Sequence, residues 1–565
     1  MLSRETGDHA ARLRAGIGVT GALAASAAAA AAVPLHRTGA VSVALWLFGI
    51  VVFLGAFVPW GSLRPRRPSP DAVLGFALAL LPVAVRILST QHDRVHGDEL
   101  ITAFHSATDD FSAKRFFDGV PQSADWVAQF PSPWFVLQRA WFAVFGATLD
   151  QIRYSQVPWE YLTAVCLFFI ARRLAGRATA VVAVVLYSFL AISLYIETTG
   201  LHFIAGTTLF TAFFLAALRL LEDGGAWNAA VAGVMTGACY LFYPSAYIAL
   251  PIFGAFWVAH VRRIRRADFA RWVLLPAAGA LVVVGPFLAY AFTTYNYFTE
   301  RASQVSFLNH HTVALDAMPL ARRVPTVLAE NTVRGVRSLW TDALGGAAGY
   351  WFGEKALFDR VTLAVFFAGL VVAFWMARKN AGLALVLFTL AFAFLTAIIM
   401  SVPPVPFHRL SSVYPFIALV LALPIRLIGR LRIRPPVLRT GLEAIAVAVV
   451  ASANYGYFSR IAVTESAPTD LFLADWVNTR YADRVLYVAA FPGHAYRKLA
   501  YWAPTRRKTP TISDYHGDLL RRFNTEEKYL YLVTFGSEFR ERFTKMDPKG
   551  RYILLPGEPW AIYLN

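Results

Sequence analysis

The chain has 565 residues, of which 57% are hydrophobic and only 16% charged, and its mean hydropathy is +0.49. Soluble proteins carry about a quarter charged residues, so this composition excludes an ordinary soluble globular protein. The formal net charge of +18 comes from basic clusters between apolar segments, a pattern typical of membrane topology signals and contact with anionic lipids rather than of nucleic-acid binding. The two cysteines, Cys166 and Cys239, each lie inside an apolar segment, which leaves no disulfide framework and no thiolate metal site.

Apolar segments of the length that a bilayer requires, about 20 residues, follow one another along most of the chain. Clear examples are residues 41–60, 178–196, 272–293, 361–376 and 383–400. We predict a polytopic α-helical membrane protein with about 13 transmembrane helices.

Two parts of this count depend on weaker signals. The alanine-rich residues 16–33 are predicted as a first span, and a cleaved signal peptide is the alternative because a basic start precedes them. Residues 226–260 are predicted as two short spans that turn near Tyr243-Pro244, since proline disfavours helix in the residue before it.

Basic residues in the short loops predict an orientation. With this numbering, every strongly basic short loop falls after an even-numbered span, for example at residues 64–67, 172–177, 262–271 and 426–439. Cytoplasmic loops carry this excess of Lys and Arg. We therefore expect a multi-pass protein of the cell (plasma or inner) membrane with a cytoplasmic N-terminus and an extracytoplasmic C-terminus.

The predicted topology divides the chain into three parts. Residues 1–71 form an N-terminal two-span hairpin, residues 72–458 a transmembrane module, and residues 459–565 a small soluble extracytoplasmic α/β domain. The module has two large outer loops, 91–155 and 295–358. The tail is predicted as α/β because helix-like stretches (469–480, 518–523) alternate with β-rich runs (485–489, 529–534, 552–555).

Two adjacent carboxylates, Asp98 and Glu99, follow the third span within a few residues, among aromatic residues. Such a pair at a membrane boundary suits a general base that acts on a lipid-carried substrate; a solvated loop or a helix N-cap is the alternative. His92 and His96 are four residues apart and make a metal site conceivable, with ordinary interfacial histidines as the alternative.

The same outer face is predicted to hold a second acid and several cations. Glu197 ends the fifth span, as a second acidic candidate or a helix cap. Arg409 begins a span on the outer side, against the usual charge distribution, and is either a snorkelling arginine or a phosphate ligand. His408, Arg301 and Lys355 are further phosphate-binding candidates.

Motifs for soluble nucleotide substrates are absent from the sequence. It has no P-loop and no dinucleotide fingerprint, and the predicted cytoplasmic loops are too short for a nucleotide-binding domain. An activated donor would therefore have to arrive from within the bilayer.

Several motifs together resemble the GT-C superfamily of membrane glycosyltransferases, in particular its dolichyl-phosphate-mannose mannosyltransferase-like and aminoarabinose-transferase-like branch. A span runs into Asp98-Glu99 at the start of a long outer loop, and Arg153-Tyr154-Ser155 precedes a span that ends in the sequence Ala-Arg-Arg-Leu-Ala-Gly-Arg (171–177). Residues 347–375 and the stretch from His408-Arg409 to Pro415 are similar to the family's last outer loop and the helix after it. The resemblance covers residues 72 to 430.

The resemblance implies transfer of a sugar from a polyprenyl phosphate to an acceptor on the outer face, with inversion. Asp98 would then be the general base, Glu99 would orient it, and Arg409 with the loop cations would stabilise the departing phosphate. The acceptor would be a protein, a lipid or a polysaccharide. Whether a divalent metal is a cofactor stays open, because the second acidic motif is reduced to Glu197.

Two other classes of function compete with a glycosyltransferase. A transporter or flippase for lipid-linked or amphipathic solutes usually has charged or broken helices at the bilayer midplane, whereas the acids noted above lie at the outer boundary. A binding or assembly protein that works through its tail is the other alternative, and Asp514, His516 and Asp518 there are more typical of a solvated turn.

Overall fold

The computed structural model describes most of the helical part of the chain and the strands of the tail. The described residues are 2–35, 37–59, 68–90, 97–108, 115–118, 130–260, 269–309, 315, 318–341, 355–401, 407–431, 435–464, 485–489, 511–512, 529–534, 545, 548–554 and 560–564.

Helices account for nearly all of the described residues up to 464. They are α1 (Leu2–Ala32), α2 (Ala40–Phe57), α3 (Pro70–Leu78), α4 (Leu80–Ser89), α5 (Gly97–Thr108), α6 (Pro133–Phe145), α7 (Leu149–Tyr154), α8 (Val157–Ala175), α9 (Arg177–Phe189), α10 (Ala191–Glu197), α11 (Phe203–Asp223), α12 (Ala226–Cys239), α13 (Ala249–His260), α14 (Leu275–Thr293), α15 (Tyr297–Gln304), α16 (Leu320–Arg337), α17 (Arg360–Ala377), α18 (Ala381–Phe394), α19 (Tyr414–Ile428) and α20 (Pro436–Thr464). Short 3₁₀ segments lie at Pro244–Ile248, Phe307–Asn309 and Phe407–Val413, and π turns at Ala270–Leu274 and Leu395–Ile399.

Among the described residues, nine helices are long and apolar enough to cross a membrane, or ten if the bent pair α9 and α10 is one span. This is fewer than the predicted 13. Helix α8 carries Glu160, Arg172 and Arg173 within 19 residues, too many charges for a simple apolar span. The predicted turn at Pro244 is present, but α12 has 14 residues and the apolar helix after it covers only 244–258. At 1.5 Å per residue both are shorter than the roughly 30 Å hydrocarbon core.

The centre of the helical bundle is formed by the two most buried spans, α11 and the continuous segment Phe407–Ile428 that includes α19. Helix α11 carries three threonines, Thr207, Thr208 and Thr211, whose hydroxyls donate to main-chain carbonyls four residues earlier. Polar side chains inside a membrane bundle are satisfied in this local way. The last span lies within α20, at the periphery of the bundle, and only 6% of its apolar window is buried.

Close helix packing in the bundle depends on small residues. Gly233 and Gly237 are four apart on α12 and face α14, where a Cβ at Gly233 would lie 2.3 Å from the Pro276 carbonyl oxygen. A Cβ at Gly237 would lie 2.7 Å from the Ala280 carbonyl oxygen. Glycines at this spacing let two membrane helices approach at backbone distance, and the contact between α12 and α14 is accordingly one of the most extensive in the bundle.

The chain separates into two compact units, 1–90 with 110–463 and 91–109 with 464–565. The second unit contains α5 and a five-stranded sheet of order β2-β1-β3-β5-β4. Its strands are β1 (Val485–Ala489), β2 (Thr511–Ile512), β3 (Tyr529–Thr534), β4 (Arg551–Leu554) and β5 (Trp560–Leu564). Strands β2, β1 and β3 are parallel, and β5 pairs antiparallel with β3 and β4. The predicted helices at 469–480 and 518–523 lie outside the described residues.

Candidate active site

A cavity of about 420 Å³ lies inside the first unit, next to the central spans. Its walls come from six stretches of chain and are mostly aromatic and aliphatic. The lining includes Phe130, His202, Phe203, Tyr243, Ser245, Tyr247, Phe298, Phe307, Phe392, Met400, His408 and Arg409. An apolar cavity with a few polar groups is the usual form of a small-molecule site.

The cationic part of the cavity is carried by the 3₁₀ segment Phe407–Val413, which precedes α19. His408 is buried and Arg409 half-buried. The segment is fixed at its start, where the Tyr414 hydroxyl donates to the Phe407 carbonyl at 2.8 Å. It is also fixed near its end, where the Ser245 Oγ lies 3.0 Å from Ser411 Oγ and 2.7 Å from Ser412 Oγ. The backbone on both sides of Arg409 is therefore held in place.

Aromatic packing orders the part of the wall around His202. The His202 ring lies 4.3 Å from the Phe130 ring and 5.0 Å from the Tyr243 ring, measured between centroids. Phe203 packs 5.5 Å from the His408 ring, which joins the two walls. Burial lowers the pKa of the His202 imidazole to about 3, so this side chain is neutral at physiological pH and adds no charge to the cavity.

A second polar cluster is buried outside the cavity, where α4, α8, α9 and α10 meet. Arg86 forms ion pairs with Glu160 and Glu197, each at 2.9 Å. The Tyr187 hydroxyl donates to both Glu197 oxygens at 3.1 and 3.0 Å, and Ser193 hydrogen-bonds both Arg86 and Glu197. The guanidinium lies in ion-pair contact with both carboxylates, and buried charges are rarely found without such partners. We call these five residues the Arg86 cluster.

The structure brings only part of the predicted site together. His408 and Arg409 line the cavity, whereas Glu197 is buried in the Arg86 cluster and does not line it. Lys355 is exposed just before α17 and is not among the cavity residues. The side chain of Arg301 lies outside the described residues, and so do His92 and His96.

The paired acids begin α5, within the second unit. Glu99 is fully buried; for Asp98 only the helical backbone is described. Across the part of the chain that the structure describes, no group of three or more His, Cys, Asp or Glu side chains could hold a metal ion.

Sequence reasoning found Glu197 but missed its partners in the Arg86 cluster, and it also missed Asn454 on α20. The signal was present, because an ionisable residue within an apolar span is a functional or structural marker by default. Arg86 lies within the third predicted span and Glu160 within the fourth. The sequence does not show which residues pair, because the partners are far apart along the chain. Arg86 and Ser188 are 102 residues apart, and Ala191 and Asn454 are 263 residues apart.

The helical bundle resembles the GT-C membrane glycosyltransferases in its fold and in the sequence of one segment. Residues 131–290 match the family described as dolichyl-phosphate-mannose-protein mannosyltransferase. The predicted resemblance is thereby confirmed.

Two solved structures of ArnT share this fold. ArnT from Cupriavidus metallidurans bound to undecaprenyl phosphate is 12% identical, with 87% of this chain and 97% of that chain covered and a TM-score of 0.58. Apo ArnT matches with the same identity and coverage at a TM-score of 0.57. The oligosaccharyltransferase AglB from Archaeoglobus fulgidus is 13% identical, covering 86% and 74% at 0.49. No curated protein matches the chain by sequence.

Proposed function

We propose that this protein transfers a sugar from a polyprenyl-phosphate donor to an acceptor on the extracytoplasmic face of the cell membrane. The observation that carries the proposal is the cavity itself, a mostly apolar chamber with Arg409 and His408 in its wall. A polyprenyl phosphate has the matching chemistry, an apolar chain with one anionic head. The ArnT structure with undecaprenyl phosphate supports this choice of donor.

In the proposed reaction Asp98 accepts the proton of an acceptor hydroxyl. The hydroxyl oxygen then forms a bond to the anomeric carbon as the bond from that carbon to the phosphate oxygen breaks. The configuration at the anomeric carbon is inverted, and the polyprenyl phosphate leaves with the bonding electron pair. Glu99 orients the base, and Glu197 is the second acidic candidate.

Arg409 is the proposed main ligand of the leaving phosphate. A guanidinium donates two parallel hydrogen bonds to a phosphate, and the developing charge on the leaving group is stabilised most when such donors are already in place. The anchored backbone around Arg409 provides this pre-organisation. His408, Arg301 and Lys355 are proposed as additional phosphate-binding residues.

We further propose that the N-terminus is cytoplasmic. Residues 1–71 form a two-span hairpin, residues 72–458 the catalytic module, and residues 459–565 an extracytoplasmic α/β domain. This last domain helps to select the acceptor. Membrane lipids surround the module.

Binding of undecaprenyl phosphate and of undecaprenol, which lacks the phosphate, tests the proposal. Arg409→Met should weaken binding of the phosphate form about 10- to 100-fold, because charged hydrogen bonds contribute about 1.5–3 kcal/mol, and leave undecaprenol unaffected. Arg378→Met, at an exposed position after α17, is the matched control. Equal binding of both lipids by the wild-type protein would refute the proposed donor site.

A further inference from the structure

The span formed by α9 and α10 is broken at Leu190, where the helix axis bends by 57°. A break inside a membrane protein leaves main-chain carbonyls and N–H groups without helical partners, and hydrocarbon provides no water to replace them. Two of these groups are held by side chains from distant helices. Arg86 Nη1 donates to the Ser188 carbonyl at 2.8 Å, and the Ala191 N–H donates to Asn454 Oδ1 at 3.2 Å.

Arg86 holds both sides of the break with one side chain. Its guanidinium reaches Ser188 at the end of α9 and, through Nη2, Glu197 at the end of α10. The fork geometry of five N–H donors makes these simultaneous contacts possible. A lysine keeps the charge but has one nitrogen, which cannot reach all these acceptors at once.

Asn454 ties the break to two further helices. Its Nδ2 donates to Thr362 Oγ1 at 2.7 Å, and Thr362 is itself hydrogen-bonded to Asp359, the N-cap of α17. Helix α20 buries few of its residues, and Asn454 is one of them. Asn454 is therefore the point where α20 and α17 hold the start of α10.

Helix α10 leads directly into the cavity wall. After Glu197 come four residues, 198–201, all buried, and then His202 and Phe203, which line the cavity. The Gly200 carbonyl accepts a hydrogen bond from Gln138 Nε2 at 3.1 Å, which fixes the middle of this connection. The direction of α10 thus sets the place of His202 and Phe203.

We propose that Arg86 and Asn454 are positioning residues that fix the broken helix α9–α10, and through it the His202–Phe203 wall of the cavity, so that both control sugar transfer without touching substrate. This rests on the proposed function for its effect on transfer, but its effect on the wall can be measured separately.

The test compares Arg86→Lys and Asn454→Ala with Arg426→Lys in the purified full-length protein. Arg426 pairs with Glu443 across α19 and α20, so the control makes the same substitution in a second Arg–Glu pair away from the break. Amide hydrogen exchange is followed in peptides that cover residues 188–203. Transfer is followed as kcat and as KM for the polyprenyl-phosphate donor.

Arg86→Lys and Asn454→Ala should each raise exchange at residues 198–203 by about tenfold or more, as local opening becomes easier, and Arg426→Lys should not. Both variants should lower kcat about tenfold or more, since misplaced groups lose orientation, with KM changed less. Exchange equal to that of Arg426→Lys would overturn the proposal. If exchange rises while the wild-type protein transfers no sugar, the proposed function fails and the positioning role stands.

Discussion

Arg86 and Ser188 are 102 residues apart in the chain, yet the Arg86 guanidinium donates a 2.8 Å hydrogen bond to the Ser188 carbonyl inside the helical bundle. The same guanidinium forms ion pairs with Glu160 and Glu197. One side chain therefore satisfies an interrupted helix and two buried carboxylates together.

The charge balance of this cluster predicts unequal effects of its members on stability. Arg86→Met leaves two buried carboxylates without their cation and should lower the free energy of unfolding by about 3–5 kcal/mol. Glu160→Gln leaves Arg86 paired with Glu197 and should cost much less. Thermal unfolding of the purified variants in detergent measures both. Equal losses for the two variants would show that the cluster is not held by this ion pairing.

Close packing of α12 on α14 predicts a second contrast. Gly233→Ala places a Cβ 2.3 Å from the Pro276 carbonyl oxygen, so the helices must separate at a cost of about 1–3 kcal/mol. Gly254→Ala on α13 meets no atom within 4 Å and should be neutral or slightly stabilising. The midpoints of thermal unfolding of the two alanine variants measure this difference in stability. If Gly233→Ala were as stable as Gly254→Ala, the close packing of α12 on α14 would be contradicted.

The proposed orientation predicts the accessibility of the two ends of α17. Lys355 precedes this helix and Lys379 follows it, and both are exposed. A membrane-impermeant thiol reagent should label Lys355→Cys in intact cells, and Lys379→Cys only after the membrane is opened. Both variants are made without the native Cys166 and Cys239. The reverse labelling pattern would invert the proposed topology.

Burial of His202 predicts a dependence of stability on pH. Its pKa in the folded protein is about 3, below the value of about 6.5 for an exposed histidine, so the unfolded chain binds the proton first on acidification. The contribution of His202 is complete above about pH 6.5 and is lost as the pH falls toward 3. His202→Phe should flatten the stability profile between pH 6.5 and 5 by up to about 1.4 kcal/mol per pH unit. If the pH dependence of stability were the same in His202→Phe as in the wild-type protein, the proposed contribution of His202 would be excluded.

How far the sequence predicts the fold depends on the kind of signal. Long apolar spans such as α2 and α18 are evident, because hydropathy in one window is enough to identify them. The short or charged helices α8, α12 and α13 were overcounted as simple spans, since their place in the bundle depends on neighbours that the sequence does not show.

The site residues also divide into those with a local sequence signal and those that depend on tertiary packing. Arg409 was found because it violates the local charge pattern of membrane loops, and the cavity indeed includes it. Arg86 was overlooked, because its role appears only when four helices bring Glu160, Tyr187, Ser193 and Glu197 to it. Contacts of this range are set by tertiary packing, which residue spacing alone does not encode.

The most direct test of the account is sugar transfer by Asp98→Asn. The full-length protein is assayed with a labelled polyprenyl-phosphate sugar and membrane acceptors, beside Asp150→Asn, which removes an acid from α7 in the same predicted outer segment. We expect Asp98→Asn to lower the transfer rate by about a hundredfold or more, since a general base contributes about 10²–10⁴, while binding of undecaprenyl phosphate and the rate of the Asp150→Asn control stay close to wild type. Transfer by Asp98→Asn at the wild-type rate would contradict the proposed mechanism.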